Sequence, residues 1–141
     1  MSDIAFLKDG SAVVATAGGL SVIRQRKMTL ADKADYFENM VRARHVRPPG
    51  LVERCRLPVP GDNSKFEPMD TDNDGLFTGL YLAAESYRDA VTKSDDAKAN
   101  AQEAYRAMEL LQTVTGTPGF VARTVIPPEW NRMADANRTY T

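Results

Sequence analysis

The chain reads LFTGLYLAAESYRDAVTKSDDAKANAQEAYRAMELLQTV over residues 76–114, and two apolar repeats lie within that stretch. Their members recur at intervals of three and four, the spacing of one face of an α-helix. The first repeat comprises Leu76, Leu80, Ala83, Ala84, Tyr87 and Val91, and the second comprises Ala97, Ala101, Ala104, Met108 and Leu111. Ser94 and Asp95 stand between the repeats and are good helix N-caps. The pattern predicts helices near 76–91 and 95–114, joined as an antiparallel hairpin.

The beginning of the chain has a different pattern. Its short apolar runs are separated by Asp9-Gly10 and Gly18-Gly19. Both dipeptides are hairpin signals, because their residues tolerate the positive φ angles of tight turns. Residues 1–25 are therefore predicted to form a small antiparallel β-meander.

Residues 26–130 are predicted to form a helical domain around the hairpin. Thr29 is a candidate N-cap for a further helix near 30–45, and Pro48-Pro49-Gly50 provides its stop. The polar tail, 131–141, is expected to be loose. The predicted fold class is therefore mainly α with a short N-terminal β-meander.

Charge is distributed unevenly along a chain that is nearly neutral overall. The 141 residues carry a net charge of −1, which argues against a generally basic, nucleic-acid-binding protein. Residues 24–56 hold nine basic and four acidic side chains, whereas residues 57–79 hold five acidic side chains and one basic. The acidic stretch includes a polar loop predicted at 61–75, and an unstructured connection of that length is usually functional.

Composition also bears on disulfide formation, membrane insertion and secretion. One Cys cannot form a disulfide within the chain. The apolar runs are far shorter than the roughly 20 residues that a membrane helix needs, and the N-terminus lacks the order of a signal peptide. We expect a soluble protein without a membrane span, and a secreted or periplasmic parent protein is compatible with the sequence.

The most specific local pattern is Asp70-Thr71-Asp72-Asn73-Asp74-Gly75. Carboxylates on alternate residues followed by Gly suit a hard cation, and the spacing matches the start of an EF-hand loop. At the twelfth position, where such loops carry a bidentate Glu, this chain has Tyr81. One interpretation is a calcium site with Asp70, Asp72 and Asp74 as ligands. Another is that the polar residues just before the predicted helix cap its N-terminus.

Two further groups of side chains have chemical potential. His45 and Arg47, at the end of the first predicted helix, could grip an anion such as a uronate, although cations are also favoured at a helix C-terminus without any ligand. Tyr81, Glu85 and Arg88 share one face of the next helix. Glu85 could serve there as a general acid or base, and an ion pair between Glu85 and Arg88 is the alternative.

Two resemblances to known families are visible in these residues. Residues 9–23, DGSAVVATAGGLSVI, resemble one repeat of the β-propeller sensor domains of the two-component-regulator type. That resemblance implies one blade-like segment, which cannot make a propeller without neighbouring blades.

From about residue 31 to 126, the chain resembles the start of an (α/α) toroid of the six-hairpin glycosidase kind. The residues that carry this resemblance are His45-Val46-Arg47-Pro48-Pro49-Gly50, Asp72-Asn73-Asp74-Gly75-Leu76-Phe77-Thr78 and Pro118-Gly119-Phe120-Val121-Ala122-Arg123. The resemblance implies a ring of helical hairpins whose loops line a carbohydrate cleft. Because the chain has one complete hairpin, it would supply only part of such a cleft.

The resemblance therefore implies a piece of a larger carbohydrate-active or carbohydrate-sensing protein, inactive by itself. If the parent is an enzyme, it would be a glycoside hydrolase or polysaccharide lyase, and the partners would be carbohydrate and the remainder of a longer chain. The residues implied for sugar binding are His45, Arg47, Asp72, Asn73, Asp74 and Arg123. The alternative is a small calcium-binding or protein-interaction module that uses Asp70 to Gly75, and calcium is the cofactor that this alternative implies.

Overall fold

The computed structural model describes residues 3–126 and, for the backbone, residues 134–135. It divides into two compact units, residues 1–37 and residues 38–141. The fold is mixed, with three helices and several short strands among the described residues. Of the predicted loose tail, 131–141, all but 134–135 lies outside the described residues.

The first unit contains the predicted β-meander. Strands β1 (Asp3–Phe6), β2 (Ala12–Thr16) and β3 (Gly19–Ile23) form an antiparallel sheet in chain order. Gly10 and Gly19 have φ angles of 82° and 129° in the two turns, so both turn signals act through glycine's access to positive φ.

Helix α1 (Leu30–Arg44) begins in the first unit and ends in the second. Its N-terminus has the predicted cap, since the Asp32 amide donates to Thr29 Oγ1 at 3.0 Å. The Thr29 hydroxyl in turn donates to Asp32 Oδ2 at 2.7 Å. These two hydrogen bonds fix the first turn of the helix.

The second unit is built on the predicted helical hairpin, which is confirmed. Helices α2 (Asp74–Thr92) and α3 (Asp95–Thr113) are joined through Lys93, whose φ of 55° is left-handed. Ser94 caps α3, because its Oγ accepts from the Ala97 amide at 3.4 Å. Small residues let α3 pack closely, and its buried positions are Ala97, Ala104, Ala107 and Leu111.

Short strands cover one side of the hairpin. Strand β4 (Val46–Arg47) pairs with β5 (Leu51–Val52), and the Pro48-Pro49-Gly50 turn connects them. Leu51 packs on Ala107 and Leu111, while Val52 packs on Tyr81 and Ala104. The core of the second unit therefore lies between β5 and the two long helices.

Gly50 marks the closest approach of this turn to the hairpin. It has a φ of 116°, and a Cβ atom there would lie 2.7 Å from Glu103 Cγ and 3.0 Å from Glu103 O. Glycine is therefore required both by the backbone conformation and by the space.

The remaining strands organise the acidic segment. Strand β6 (Cys55–Arg56) pairs antiparallel with β7 (Glu67–Asp70), which pairs in parallel with β8 (Ala134–Asp135). Residues 67–70 of the predicted polar loop are thus a strand. This strand ends at Asp70, four residues before α2 begins.

Helix α2 buries its polar face. Its buried residues are Asp74, Thr78, Tyr81 and Glu85, at intervals of four, three and four. The apolar repeat of the same helix faces away, with Leu76, Leu80, Tyr87 and Val91 between 60% and 83% exposed. An apolar repeat ordinarily marks the buried face of a helix. The buried polar side chains of α2 must therefore find hydrogen-bond or ion-pair partners elsewhere in the second unit.

Candidate metal centre

Three acidic side chains from separate segments meet in the interior of the second unit. Glu53 follows β5, Asp70 ends β7 and Asp74 begins α2. Their exposed fractions are 2%, 3% and 0%, and one carboxylate oxygen from each lies within 4.8 Å of the other two. Buried carboxylates are rare unless they are paired or bind a metal. We refer to these three residues as the acidic cluster.

Backbone contacts of the short strands bring the acidic cluster together. The Glu53 amide donates to His45 O at 3.0 Å, and the Met69 amide donates to Arg54 O at 3.1 Å. The first bond anchors Glu53 to the end of α1, and the second places β7 beside it. Val52 N also donates to Thr78 Oγ1 at 2.9 Å, so α2 packs directly on this segment.

Glu53 is held by three neighbouring groups. Thr71 Oγ1 donates to Glu53 Oε2 at 2.6 Å, and the Arg54 amide donates to Oε1 at 2.6 Å. The Glu53 carbonyl oxygen lies 2.8 Å from His45 Nδ1. A carbonyl only accepts, so Nδ1 of His45 carries the proton in this contact.

Asp74 is paired on one oxygen only. Its Oδ2 accepts from Arg47 Nη2 and, at 2.6 Å, from Thr124 Oγ1. Its Oδ1 is buried and has no hydrogen-bond partner among the described residues. Arg47 is fixed further by Val125 O, to which its Nη1 donates at 2.8 Å. The pairing leaves one buried oxygen of Asp74 available to a ligand.

The electrostatics of the cluster favour a bound cation. Burial raises the pKa of Asp74 to about 6, and the nearby Asp70 and Glu53 charges add to the rise, whereas Thr124 and Arg47 oppose it. Arg47 supplies one positive charge against three carboxylates. The buried carboxylates therefore outnumber this counter-charge, and unpaired charge is costly in the interior. A divalent cation would neutralise them.

The structure places the residues of the sequence motif that resembles a calcium loop, Asp70 to Gly75, in different surroundings. Asp70 and Asp74 belong to the acidic cluster, together with Glu53, which the sequence pattern did not indicate. Asp72 has a left-handed φ of 58°, and its carbonyl oxygen accepts from Arg123 Nε at 3.1 Å. Asn73 forms no side-chain cap bond to α2; its Nδ2 donates to Thr71 O at 2.9 Å.

The six residues implied for sugar binding fall into three settings. Asp72, Asn73 and Arg123 line one cleft of about 190 Å³. Arg47 and Asp74 form the buried ion pair described above, and His45 contacts the Glu53 backbone. A single open cleft therefore does not contain all six residues.

A second carboxylate pair lies where α1 meets the hairpin. Glu38 Oε1 accepts from Tyr81 Oη at 2.7 Å and from Asn100 Nδ2 at 2.9 Å. Asn100 Nδ2 also donates to Glu85 Oε2 at 3.1 Å, and Arg88 Nη1 donates to the same oxygen at 3.2 Å. The ion pair between Glu85 and Arg88, one of the two predicted interpretations, is confirmed.

Burial raises the pKa of Glu38 in this pair. The Tyr81 hydroxyl opposes the rise, and the negative charge of Glu85 adds to it. Burial likewise raises the pKa of Tyr81, and its hydrogen bond to Glu38 adds to that rise. Glu38 Oε1 and Glu85 Oε2 each accept two hydrogen bonds. These contacts are those of a satisfied polar contact between helices.

Comparisons with known proteins do not assign this chain. No protein-family model, curated protein or solved structure matched it. Within the described residues, no helix combines the length and apolar character needed to cross a bilayer. The chemistry of the acidic cluster is therefore the strongest indication of function.

Proposed function

We propose that this chain is a divalent-cation-binding module, with Glu53, Asp70 and Asp74 as protein ligands. The observation that carries the proposal is the convergence of three buried carboxylates, of which Asp74 Oδ1 lacks a hydrogen-bond partner. Carboxylate oxygens are the ligands that hard cations prefer. Those already accepting one hydrogen bond retain a second acceptor position.

Calcium is the cation that we propose for this site. The three carboxylate oxygens lie within 4.8 Å of one another, so one cation can draw ligands from all three segments. Ca²⁺ binds oxygen at about 2.4 Å in flexible geometry, whereas Mg²⁺ at about 2.1 Å demands a near-octahedral arrangement. The flexible coordination of calcium suits ligands that come from three separate segments. Water would complete its coordination.

The surrounding residues position the ligands. Arg47 and Thr124 hold one oxygen of Asp74, while Thr71 and His45 hold Glu53. Because the three ligands follow β5, end β7 and begin α2, binding of a cation would join these three elements. We therefore propose a structural role for the cation, in which it stabilises the folded state by mass action.

Calorimetry of the chelator-treated protein with CaCl₂ tests the site. We expect one calcium ion to bind per chain. The affinity should fall at least tenfold in Glu53→Gln and in Asp70→Asn. Asp72→Asn is the matched control, because the acidic cluster does not include Asp72, and it should bind like the wild type. Far-UV circular dichroism of each variant confirms that it is folded.

Two results would contradict this proposal. One is the absence of binding heat for the folded wild type with calcium, magnesium or manganese at millimolar concentration, with equilibrium dialysis also negative. The other is loss of binding in Asp72→Asn with normal binding in Glu53→Gln. The second result would support the contiguous Asp70, Asp72 and Asp74 site instead.

Carbohydrate binding remains a second candidate, supported by the cleft that Asp72, Asn73 and Arg123 line. Its volume of about 190 Å³ is small, which fits a chain that supplies part of a larger sugar site. Under this proposal the parent protein would act at a glycosidic bond, by hydrolysis or elimination, and Arg123 would hold an acidic sugar.

Affinity electrophoresis in neutral and acidic polysaccharides tests this candidate. Retardation in an acidic polysaccharide should be lost in Arg123→Ala and retained in Arg106→Ala, which removes an arginine that lines a different groove. Equal mobility in all gels would contradict sugar binding. Turnover of a polysaccharide by this chain alone would contradict the expectation that it is inactive by itself.

A further inference from the structure

The outward face of α2 carries a continuous apolar stripe, made of Leu76, Leu80, Ala83, Ala84, Tyr87 and Val91. All six residues are exposed, and the four large ones are 60%, 62%, 75% and 83% exposed. With a rise of 1.5 Å per residue, the stripe is about 22 Å long. An exposed apolar surface of this continuity marks an interaction site.

The stripe has no charged member. The charged residues of α2 are Asp74, Glu85, Arg88 and Asp89, of which Asp74 and Glu85 are buried on the opposite face. An ionic partner such as an acidic peptide, a nucleic acid or an anionic surface therefore has nothing to bind there. The stripe fits another apolar helix.

The stripe is symmetric in position and in side-chain size, with small residues at its centre and large residues towards both ends. Its centre lies between Ala83 and Ala84; Leu80 and Tyr87 are equidistant from that centre, as are Leu76 and Val91. Two antiparallel helices related by a two-fold axis at this centre would bring Leu80 against Tyr87 of the partner subunit. Leu76 would meet Val91 of the partner subunit, and the two alanines would face each other.

This arrangement has the properties of an isologous interface, in which one surface is complementary to its own copy. Small residues at the centre let the helix axes approach, and large residues at both ends fill the diverging space. Arg88 falls opposite Gly79 and Asp89 opposite Thr78, so no charge meets its own copy. A parallel pairing would instead place Tyr87 against Tyr87 and Leu80 against Leu80.

We propose that a second copy of this chain covers the stripe, through antiparallel pairing of α2 with α2 of the partner subunit. One helix pair buries less than the roughly 800 Å² per partner of a standard interface. The dimer is therefore weak and forms only at high protein concentration. The proposal is independent of cation binding, because the acidic cluster lies on the opposite side of α2.

Sedimentation velocity from about 10 μM to 1 mM measures this association. The wild type should be a 15.5 kDa monomer at the low end and approach twice that mass at the high end. Leu80→Lys and Tyr87→Glu should each weaken association at least tenfold. Tyr105→Glu is the matched control: Tyr105 is 59% exposed but lies on α3, so association should not change.

Combining Leu80→Lys with Tyr87→Glu in one chain tests the orientation. In the antiparallel dimer each new cation faces a new anion of the partner subunit, so association should return. In a parallel dimer like charges would meet, and association should stay lost. A wild type that remains monomeric at 1 mM overturns the proposal, as does a double variant that fails to recover or single variants that associate normally.

Discussion

Arg47→Met is expected to lower the free energy of unfolding by about 3–5 kcal/mol at pH 7. The Arg47 side chain is 4% exposed, and its ion-pair partner, Asp74, is completely buried. Removing the guanidinium leaves the Asp74 carboxylate near Glu53 and Asp70 without its counter-charge. Val125 O also loses the hydrogen bond that Arg47 donates.

Urea denaturation of the wild type and the variant measures this loss. Arg42→Met is the matched control, because Arg42 pairs with Glu103 at 2.6 Å in a setting where both side chains are more than a third exposed. An exposed pair contributes less than about 1 kcal/mol, so the control should lose little. Similar losses in the two variants would contradict the assignment of Arg47 as the counter-charge of the acidic cluster.

The stability of the cation-free protein is expected to fall by roughly 3 kcal/mol as the pH rises from about 4 to above 6. Burial raises the pKa of Asp74 from 3.8 to about 6. Between these values the folded state holds a proton that the unfolded state has released. The contribution of Asp74 is therefore fully present below pH 4 and lost as the pH passes through 6.

Urea midpoints measured in chelator at several pH values between 4 and 7 check this prediction. Glu38 also has a raised pKa, so its titration lowers the stability in the same pH direction. The pH dependence of the wild-type urea midpoint alone is therefore not decisive. Asp74→Asn isolates the contribution, because the amide does not titrate and the curve should flatten. Parallel curves for the two proteins would show that Asp74 does not titrate as described.

The elements that the sequence predicts correctly depend on local signals. The hairpin of α2 and α3 follows from apolar intervals of three and four with Ser94 as a cap. The β-meander follows from Asp9-Gly10 and Gly18-Gly19, in which Gly10 and Gly19 have positive φ. Strands β4, β5 and β6 have two residues each, and pairing with distant segments defines them, so periodicity cannot reveal them. The toroid and propeller resemblances remain predictions.

The orientation of α2 could not be predicted from its apolar repeat. Its buried face is polar because Arg47, the Val52 amide and Glu38 provide partners for Asp74, Thr78 and Tyr81 respectively. Each of these partners comes from at least 26 residues away in the chain. A pattern within one helix contains no information on such contacts, and the apolar stripe is left for another surface.

Part of the acidic cluster was visible in the sequence. Asp70 and Asp74 stand out because, with Asp72, they place an aspartate at every second position before Gly75. Glu53 is separated from them along the chain, and its signal is weaker: it alternates with Leu51 and Cys55, on what would be the apolar side of an extended segment. Asp72 fits the alternation, but its backbone is left-handed, with a φ of 58°, and its carboxylate is not one of the three that meet.

A cation bound among Glu53, Asp70 and Asp74 can be located directly. Crystals grown with strontium, a calcium analogue that scatters anomalously, would give an anomalous difference map. We predict one peak within coordination distance of all three carboxylates, with Asp74 Oδ1 among the ligands. A peak at Asp72 instead, or no peak near the acidic cluster in crystals grown at saturating strontium, would show that the cluster does not bind a cation.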